Sequence, residues 1–413
     1  AKDSGRVAVS GMVQCRGDCT FECSLSANSM RGKEGNIGVE GNLSVEGSIR
    51  IDYGSLSVRG DLSAKNVEVD RSVSVDKDLS TESIRVGGKL EIGGNTKAKE
   101  IDVGGAFEAH GNVESENIEA GGSAKVEGIT TALKVDVGGT FQGKGKVKVN
   151  RIDVGGTFTA ESEVLAEELH VGGTARVIGG EVRNKINVGG SFESGHPLVF
   201  GSIDVGGRVN LAGTCEGGKI TVGGTLEMEG DLKFTNVDVG GVVKITGNAE
   251  GATIDVGGKL TVGKRLILTG KLSVGGTVEC GEDLRAESVN VGGSLKARLI
   301  EAENLVRVGG RIETIEGVKA ARVEIGTRGR IIGTVVAKEV LLRERAEADD
   351  IYADSLTMEE KSKARNVYVR NAYLESRSRV TGELLYQGEL KKEEEVTFAK
   401  EPLKTDKLPS PPI

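Results

Sequence analysis

The pentapeptide IDVGG fills residues 101–105 and returns unchanged at residues 152–156. A polar residue lies between two aliphatic residues in it, and this alternation has the two-residue period of a β-strand. Fourteen double glycines follow such an alternating segment; twelve of the thirteen intervals between them equal the seventeen-residue step from Gly87 to Gly104, and the interval from Gly257 to Gly275 is one residue longer. Such regularity is typical of solenoids. The first glycines of the pairs, which we expect to form structural corners, are Gly87, Gly104, Gly121, Gly138, Gly155, Gly172, Gly189, Gly206, Gly223, Gly240, Gly257, Gly275, Gly292 and Gly309.

Aliphatic residues recur at fixed distances from each double glycine. The residue three positions before the first glycine is isoleucine, leucine or valine in every copy, from Ile84 to Val306, and the residue directly before it is nearly always valine. Ladders of like side chains form when each turn of a coil lies on the previous one at the spacing of hydrogen-bonded strands, about 4.8 Å. Helical repeats are excluded, because a seventeen-residue repeat is too short for two packed helices and valine and isoleucine fit a pleated surface better.

Three short sides fit into each repeat. They are the strand before the double glycine, the strand after it, such as residues 157–160, and a weaker side, such as residues 163–166. The double glycine is expected at a corner, because glycine permits positive φ and lets backbones stack more closely than a Cβ would allow. The sequence therefore predicts an all-β fold. We expect the coil to be right-handed, because connections between parallel strands are overwhelmingly right-handed. The predicted fold is a right-handed, three-sided parallel β-helix of about 22 turns with about 17 residues each.

The regularity of the repeat divides the chain into four segments. Residues 87–326 carry the regular V-G-G repeat, and residues 1–86 keep its alternation with irregular glycine corners. Residues 327–389 continue the register with charged residues in place of glycine. Residues 390–413 contain a charge run and four of the five prolines, so we expect an extended tail rather than a further turn. That tail is either disordered or a short peptide packed on the rod or on a neighbouring molecule.

One stretch of the chain resembles a known family. GRIIGTVVAKEV at residues 329–340, followed by VTGEL at residues 380–384, is similar to the G-x-I-x-G-x-V-x-A-x-x-V pattern of bactofilins, the polymer-forming cytoskeletal proteins. The resemblance implies a right-handed three-sided β-helix with short terminal tails, end-to-end polymerisation without nucleotide, and scaffolding of membrane or cell wall. Because polymers of that family assemble through their end turns, the resemblance also implies contact residues in the first and last turns. This chain would be a long variant.

A physical argument leads to the same end turns. A coil of parallel strands has two ends that expose unpaired backbone groups and core side chains, and these must be capped or paired with another chain. Residues 7–9 and 13–15 already alternate like strands, whereas a C-terminal turn rich in arginine and glutamate could act as a polar stop. The residues that we expect at the assembly interface are Val7, Val9, Val13, Cys15, Phe21, Leu25, Val367, Val369, Leu374, Val380 and Leu384.

Other candidate sites are few. Cys15, Cys19 and Cys23 are four residues apart, which places them on one face of a strand; we expect core packing there, with a metal or cluster site as the alternative. The total of five cysteines is odd, which argues against a disulfide framework. The three histidines stand at different positions of the repeat and cannot converge. We therefore expect no catalytic residues, no metal and no cofactor.

An acidic row runs beside the double glycines. It is broken by His170, Asn187 and Thr221, as the repulsion between like charges stacked at about 4.8 Å would predict. We interpret the row as a solvated face, and weak binding of a divalent cation or a partner is the alternative. Its members are Asp102, Glu119, Asp136, Asp153, Asp204, Asp238 and Asp255.

Composition and charge narrow the function. A net charge of −8 with interspersed lysine and arginine argues against nucleic acid as a partner, and no run of 18 apolar residues exists. The length, regularity and bare ends predict a structural, non-enzymatic rod that self-assembles end to end into nucleotide-independent filaments or a scaffold. The alternatives are an extracellular sheath or surface lattice and a carbohydrate-acting β-helix enzyme. The enzyme is disfavoured because no loop insertion interrupts the regular repeat.

The expected partner is a further copy of the chain, and no small-molecule substrate is expected. The proline-rich tail at residues 390–413 is the candidate contact to membrane or cell-envelope components. The resemblance and the odd number of cysteines favour a cytoplasmic, cytoskeletal location, with membrane association through the tail. A cell-surface location is the alternative.

Overall fold

The computed structural model describes residues 5–413, and these contain 48 strands and no helix. The strands pair in parallel and stack as a β-solenoid of about 23 turns with about 17 residues per turn. This confirms the predicted all-β parallel solenoid, with one turn more than the sequence suggested. The chain divides into two compact units, Ala1–Gly206 and Gly207–Ile413.

The first unit contains the strands β1 to β25. They are β1 (Arg6–Arg16), β2 (Cys19–Phe21), β3 (Ser24–Lys33), β4 (Ile37–Val39), β5 (Leu43–Asp52), β6 (Leu56–Val58), β7 (Leu62–Val69), β8 (Ser72–Val75), β9 (Leu79–Val86), β10 (Lys89–Ile92), β11 (Thr96–Lys97), β12 (Glu100–Val103), β13 (Ala106–Ala109), β14 (Val113–Glu114), β15 (Asn117–Ala120), β16 (Ser123–Val126), β17 (Thr130–Val137), β18 (Thr140–Gly143), β19 (Val147–Val154), β20 (Thr157–Ala160), β21 (Val164–Val171), β22 (Thr174–Val177), β23 (Gly180–Val188), β24 (Ser191–Ser194) and β25 (Leu198–Val205).

The second unit contains the strands β26 to β48. They are β26 (Arg208–Ala212), β27 (Cys215–Val222), β28 (Thr225–Glu229), β29 (Leu232–Lys233), β30 (Asn236–Val239), β31 (Val242–Ile245), β32 (Ala249–Gly251), β33 (Thr253–Val256), β34 (Lys259–Val262), β35 (Leu266–Leu268), β36 (Lys271–Val274), β37 (Thr277–Cys280), β38 (Asp283–Val291), β39 (Ser294–Val308), β40 (Arg311–Ile325), β41 (Arg330–Leu342), β42 (Glu347–Met358), β43 (Lys363–Leu374), β44 (Arg379–Val380), β45 (Leu384–Tyr386), β46 (Leu390–Lys392), β47 (Thr397–Phe398) and β48 (Leu403–Lys404).

A regular turn consists of three strand segments, which we call its first, second and third sides. In the first unit β12 lies before a double glycine, β13 follows it and β14 forms the short third side; β15 then pairs with β12 and begins the next turn. Ile101 pairs with Ile118, and Phe107 pairs with Ala124. One repeat of the sequence therefore equals one turn, and like residues stack in register.

The core of each unit is a stack of aliphatic and aromatic ladders. Along the second side of the first unit, Phe141 and Phe158 are fully buried, with ring centroids 5.3 Å apart and an interplanar angle of 11°. Ala124 pairs with Phe141, and Ala175 pairs with Phe158, and both alanines are buried. Small side chains next to the rings leave room for them in the core, which a closely packed interior requires.

The double glycines lie at the corner between the first and second sides. A Cβ on Gly104 would lie less than 3.0 Å from the carbonyl oxygen of Gly87 in the preceding turn, a distance that real Cβ atoms do not show. No residue of the fourteen pairs has a positive φ angle, which differs from our expectation. Close stacking alone therefore requires glycine here. The same clash with a carbonyl oxygen is found at Gly87, Gly104, Gly138, Gly155, Gly206, Gly257, Gly292 and Gly309.

The longer interval before Gly275 has a local cause in the second unit. Gly251 pairs with Leu268, one regular repeat later, whereas Ile254 pairs with Leu272, one residue further along than a regular repeat would place it. The additional residue therefore lies in the corner between the third and first sides, at residues 269–271. The side chains of the strands on both sides of that corner keep their inward and outward orientations.

The later turns of the second unit use another kind of corner. In the connections from β41 to β42 and from β42 to β43, Arg345 and Lys361 have φ angles of 58° and 61°. This left-handed conformation costs a non-glycine residue about 1–2 kcal/mol. The pairing of Ile351 with Val367 shows that a turn here is one residue shorter than the regular repeat. Charged residues thus replace glycine at a corner of different geometry while the register continues.

Residues 390–404 form a further turn, which differs from the extended tail that we expected. β46 pairs with β43, β47 with β44 and β48 with β45. Leu390 and Phe398 pair with Ala372 and Val380 and so continue two inward ladders. The charge run between these two apolar residues concealed the pattern in the sequence. The strands end at Lys404, and residues 405–413 add none.

Candidate assembly interface

The first turn of the first unit has an unpaired strand edge. Within residues 5–413, β1 pairs with β3, β2 pairs with β4, and neither has a second partner. Every strand edge without a partner carries a row of free N–H and C=O groups, which is a template for pairing with another chain. The first turn therefore offers backbone hydrogen bonds in the direction in which the solenoid grows.

The apolar ladders of the core are open at the same turn. Val7, Val9 and Val13 pair with Leu25, Ala27 and Met30, so the three valines face inwards. Val7 is 45% exposed, whereas its partner Leu25 is 1% exposed.

Further members of the predicted interface lie with these valines. Cys15 is buried, while Val9, Val13 and Phe21 are half-buried. Val7, Val9, Val13, Cys15 and Phe21 thus lie together in the first turn, and Leu25 lies in the second, beneath Val7. The first turn thus contains apolar side chains like those of a core layer, but most of them are partly or largely exposed to solvent.

The remaining residues of the predicted interface lie in the interior of the second unit. Val367, Val369, Leu374, Val380 and Leu384 are each at most 1% exposed. The strands β44 to β48 cover them, because residues 390–404 form the additional turn described above. These five residues stabilise the core and do not reach a surface, which corrects our expectation that they form an open end.

The last turn of the second unit ends one of the apolar ladders with a charged side chain. Lys392 pairs with Leu374, and its Nζ lies 5.4 Å from the centroid of the Phe398 ring. Such a cation over an aromatic face is attracted by the ring. Pro402 precedes Leu403 of β48 and has no N–H group to donate. This turn resembles the polar stop that the sequence suggested.

The cysteines near the first turn are thiols. Cys15, Cys19 and Cys23 form no disulfide. Burial, and then the hydrogen bond and charge of the Cys19 side chain, raise the pKa of Cys15 to about 12. A protonated thiol is a poor metal ligand and a poor nucleophile at neutral pH. Residues 5–413 contain no group of three or more His, Cys, Asp or Glu side chains that could hold a metal ion.

The acidic row of the first unit is neutralised by its neighbours. Asp102 accepts a hydrogen bond from Nε of Arg85 in the preceding turn at 2.8 Å. Asp136 and Asp153 accept hydrogen bonds from basic residues two positions earlier on their own strands, Lys134 and Arg151. Exposed pairs of this kind contribute little to stability, but they reduce the repulsion between carboxylates in successive turns. These three members of the row are thus charge-balanced, which fits the interpretation as a solvated face.

A buried carboxylate in the second unit was not predicted. Glu324 stands on the outward position of the first side and is nevertheless only 5% exposed. Its Oε2 lies 3.0 Å from Nη2 of Arg307, and its Oε1 lies 2.8 Å from Nη2 of Arg343. Burial disfavours the carboxylate, yet the hydrogen bonds and charges of Arg343 and Arg307 outweigh it, so the pKa of Glu324 is lowered.

The signal for this cluster lies in the alternation of charge between turns. Arg307 pairs with Glu324 from the preceding turn. In the following turn, Leu341 pairs with Glu324, and Arg343 lies two positions after Leu341. Nη1 of Arg343 also donates to Glu359 at 2.9 Å, so the cluster connects four turns of the second unit. Opposite charges spaced by one turn would have indicated this cluster, which ties neighbouring turns together on their outer surface.

Residues 5–413 include no helix long and apolar enough to cross a membrane. The chain was compared with protein-family models, curated proteins and solved structures, and none of the three gives a significant match. We therefore infer the function from the geometry of the chain itself.

Proposed function

We propose that the protein is a structural, non-enzymatic solenoid that self-assembles through its first turn. One observation carries this proposal: inward-facing valines of β1 are exposed beside a strand edge that has no second partner within residues 5–413. Burying a valine of this kind contributes about 1.5 kcal/mol or more, and each ladder hydrogen bond adds about 1 kcal/mol. A second copy of the chain supplies both at once.

The kind of assembly follows from the symmetry of the contact. Two copies that meet through the same first turn form a closed pair, because the interface is isologous. Growth into filaments or a scaffold requires a second contact. The last turn of the second unit is the candidate, and Lys392 with the charge run at residues 391–395 would make that contact electrostatic. Filament growth is then expected to weaken with salt, while the contact through the first turn persists.

The compartment belongs to the same proposal. The contact would serve a cytoskeletal filament in the cytoplasm and a surface lattice outside the cell equally well. The cytoplasm is the compartment of this proposal, because the odd number of cysteines argues against a disulfide framework.

A charge placed on the inward row of β1 tests the proposal. In a variant with Val7→Lys and Val13→Lys, a second copy would have to bury two ammonium groups, so we expect a monomer. The matched control carries Ala8→Lys and Gln14→Lys, because these residues lie on the same strand, point outwards and are exposed. We expect the wild type and the control to form pairs or longer assemblies whose mass increases with concentration.

Analytical ultracentrifugation and electron microscopy provide the measurement. Circular dichroism establishes that each variant keeps its β-structure. Wild-type protein that remains monomeric at every concentration would contradict the proposal. So would an unchanged assembly of the variant with lysines at positions 7 and 13.

A further inference from the structure

An apolar stripe lies on the outside of the last turns of the second unit. Val336, Tyr352, Tyr368 and Leu385 pair in succession on the third side, and we call them the outer stripe. The residue directly before each of them on its strand, such as Val335 before Val336, is buried. Since successive side chains of a strand point to opposite faces, the stripe residues point outwards.

The same row is polar in earlier turns of this unit. Lys233, Glu250, Arg285, Glu301 and Lys319 occupy it, with Ile267 as an apolar exception. The row then stays apolar for five consecutive turns, because Leu403 pairs with Leu385 and follows the outer stripe. Leu403 itself is 60% exposed. Outward residues of this kind on a solenoid indicate that something covers them.

The four stripe residues are half-buried although they point outwards. The rings of Tyr352 and Tyr368 lie with their centroids 4.7 Å apart, and Oη of Tyr368 donates a hydrogen bond to Glu383 at 2.6 Å. Burial is the largest cause that raises the pKa of both tyrosines. The stripe is thus removed from much of the solvent that a surface row normally meets.

Residues 405–413, which we call the strap, are anchored at both ends on the third side. Near its start, the backbone oxygen of Asp406 accepts a hydrogen bond from Nε2 of Gln387 at 2.9 Å. At its end, Cδ1 of Ile413 lies 2.5 Å from the position that a Cβ on Gly317 would occupy. The missing side chain of Gly317 therefore leaves a notch that the isoleucine fills.

The two anchors lie on either side of the outer stripe. Gln387 comes two residues after Leu385, whereas Gly317 comes two residues before Lys319, which pairs with Val336. A segment that joins them must cross the stripe obliquely. Leu408 and Ile413 are half-buried, while the four residues between them are exposed.

The length and composition of the strap fit this path. From Gly317 to the turn that holds Gln387 there are four steps, about 19 Å at the spacing of stacked strands. The seven steps from Asp406 to Ile413 span about 22 Å in a polyproline II conformation. Pro409, Pro411 and Pro412 favour that conformation and remove the N–H groups that another strand would need.

We propose that the outer stripe is a peptide-binding site and that its occupant is the chain's own strap. The ligand class is a proline-interrupted peptide with two aliphatic anchors, Leu408 and Ile413. In this arrangement the strap shields Tyr352 and Tyr368 from other molecules. The site is independent of the first turn, so its failure and that of the proposed assembly are distinguishable.

The experiment releases the strap and offers it back as a separate peptide. The full chain with Leu408→Asp and Ile413→Asp no longer has aliphatic anchors, and we expect it to bind a labelled peptide of residues 405–413 at least tenfold more tightly than the wild type does. The wild type binds weakly because its site is filled. The matched control is the full chain with Ser410→Asp, since Ser410 is exposed between the anchors; it should behave like the wild type.

Variants of the stripe locate the binding. In the released chain, Val336→Lys should weaken binding of the peptide at least tenfold. Ile267→Lys should leave the affinity unchanged, because Ile267 lies on the same row but in a turn that the strap does not reach. Fluorescence anisotropy measures the affinity, and circular dichroism confirms the fold.

Each contrary outcome is decisive. Failure of the released chain to bind the peptide overturns the proposal, and so does equal binding by the wild type. An equal loss from Val336→Lys and Ile267→Lys would place the peptide elsewhere. A released chain that pairs with a second copy instead of the peptide would identify that copy as the occupant and would also overturn the proposal.

Discussion

A Cβ on Gly138 would overlap the carbonyl oxygen of Gly121 in the preceding turn. Replacing Gly138 with alanine therefore forces two stacked backbones of the first unit apart. We expect Gly138→Ala to lower the free energy of unfolding by about 1–3 kcal/mol, as other overpacked sites do. Denaturant unfolding followed by circular dichroism measures the change.

Gly195 of the same unit provides the matched control. The nearest atom to a Cβ there is the carbonyl oxygen of Ile178 at 3.9 Å, an ordinary contact distance. We expect Gly195→Ala to stay within about 0.5 kcal/mol of the wild type. Equal losses in the two variants would show that the corner does not depend on close backbone stacking.

Glu324 of the second unit makes stability depend on pH. Because Arg343 and Arg307 lower the pKa of the folded state, the carboxylate stabilises the fold above its ordinary pKa of about 4.3, and this contribution is lost as the pH falls through the lower folded value. At pH 7 we expect Glu324→Gln to lower the free energy of unfolding by about 1–3 kcal/mol. The difference from the wild type should shrink as the pH falls below about 4.

An exposed pair separates burial from charge in this experiment. Glu339 lies 3.5 Å from Arg322, and its side chain is 63% exposed. We expect Glu339→Gln to change the free energy of unfolding by less than about 0.5 kcal/mol at any pH. A Glu324→Gln deficit that persists undiminished at pH 3 would contradict the role given to the carboxylate.

At the scale of elements, one turn is a removable unit. Deleting residues 122–138 joins Gly121 to Gly139 and leaves every ladder of the first unit in register, because the deletion equals one regular turn. We expect this variant to keep its β-sheet circular dichroism and to unfold cooperatively within a few degrees of the wild type. Thermal unfolding provides the measurement.

A deletion that is not a whole turn is the control. Removing residues 122–130 takes out only part of a turn, so the strands that follow no longer lie on their partners of the preceding turn and their inward side chains leave the ladders. We expect that variant to lose cooperative unfolding. If both deletions are tolerated equally, stacking in register is not what holds the turns together.

The elements of the regular repeat could be predicted from the sequence because each double glycine marks a corner. Two features could not. The positive φ angle was assigned to the double glycines, whereas residues such as Arg345 and Lys361 adopt it at a different corner. The strands β46 to β48 were missed because two apolar residues, Leu390 and Phe398, carry the pattern through a run of charges.

At the scale of the whole molecule, the sequence suggests where a solenoid can be open but not what covers it. Val7, Val9 and Val13 lie in the exposed first turn because no described strand precedes β1. Val367 and Leu384 lie in the interior because a covering turn follows them. The strap depends on a pair that is far apart in the sequence, Gly317 and Ile413, and a repeat pattern contains no information about it. The Glu324 cluster, in contrast, joins opposite charges about one turn apart and could have been found from the sequence.

The exact match between repeat and turn also affects how such a gene can change. The identical pentapeptides at residues 101–105 and 152–156 lie three whole turns apart in the first unit. Unequal recombination between their coding sequences would insert or remove three turns and leave all ladders aligned. Descendants of this chain can therefore differ in length without any compensating substitution in the core.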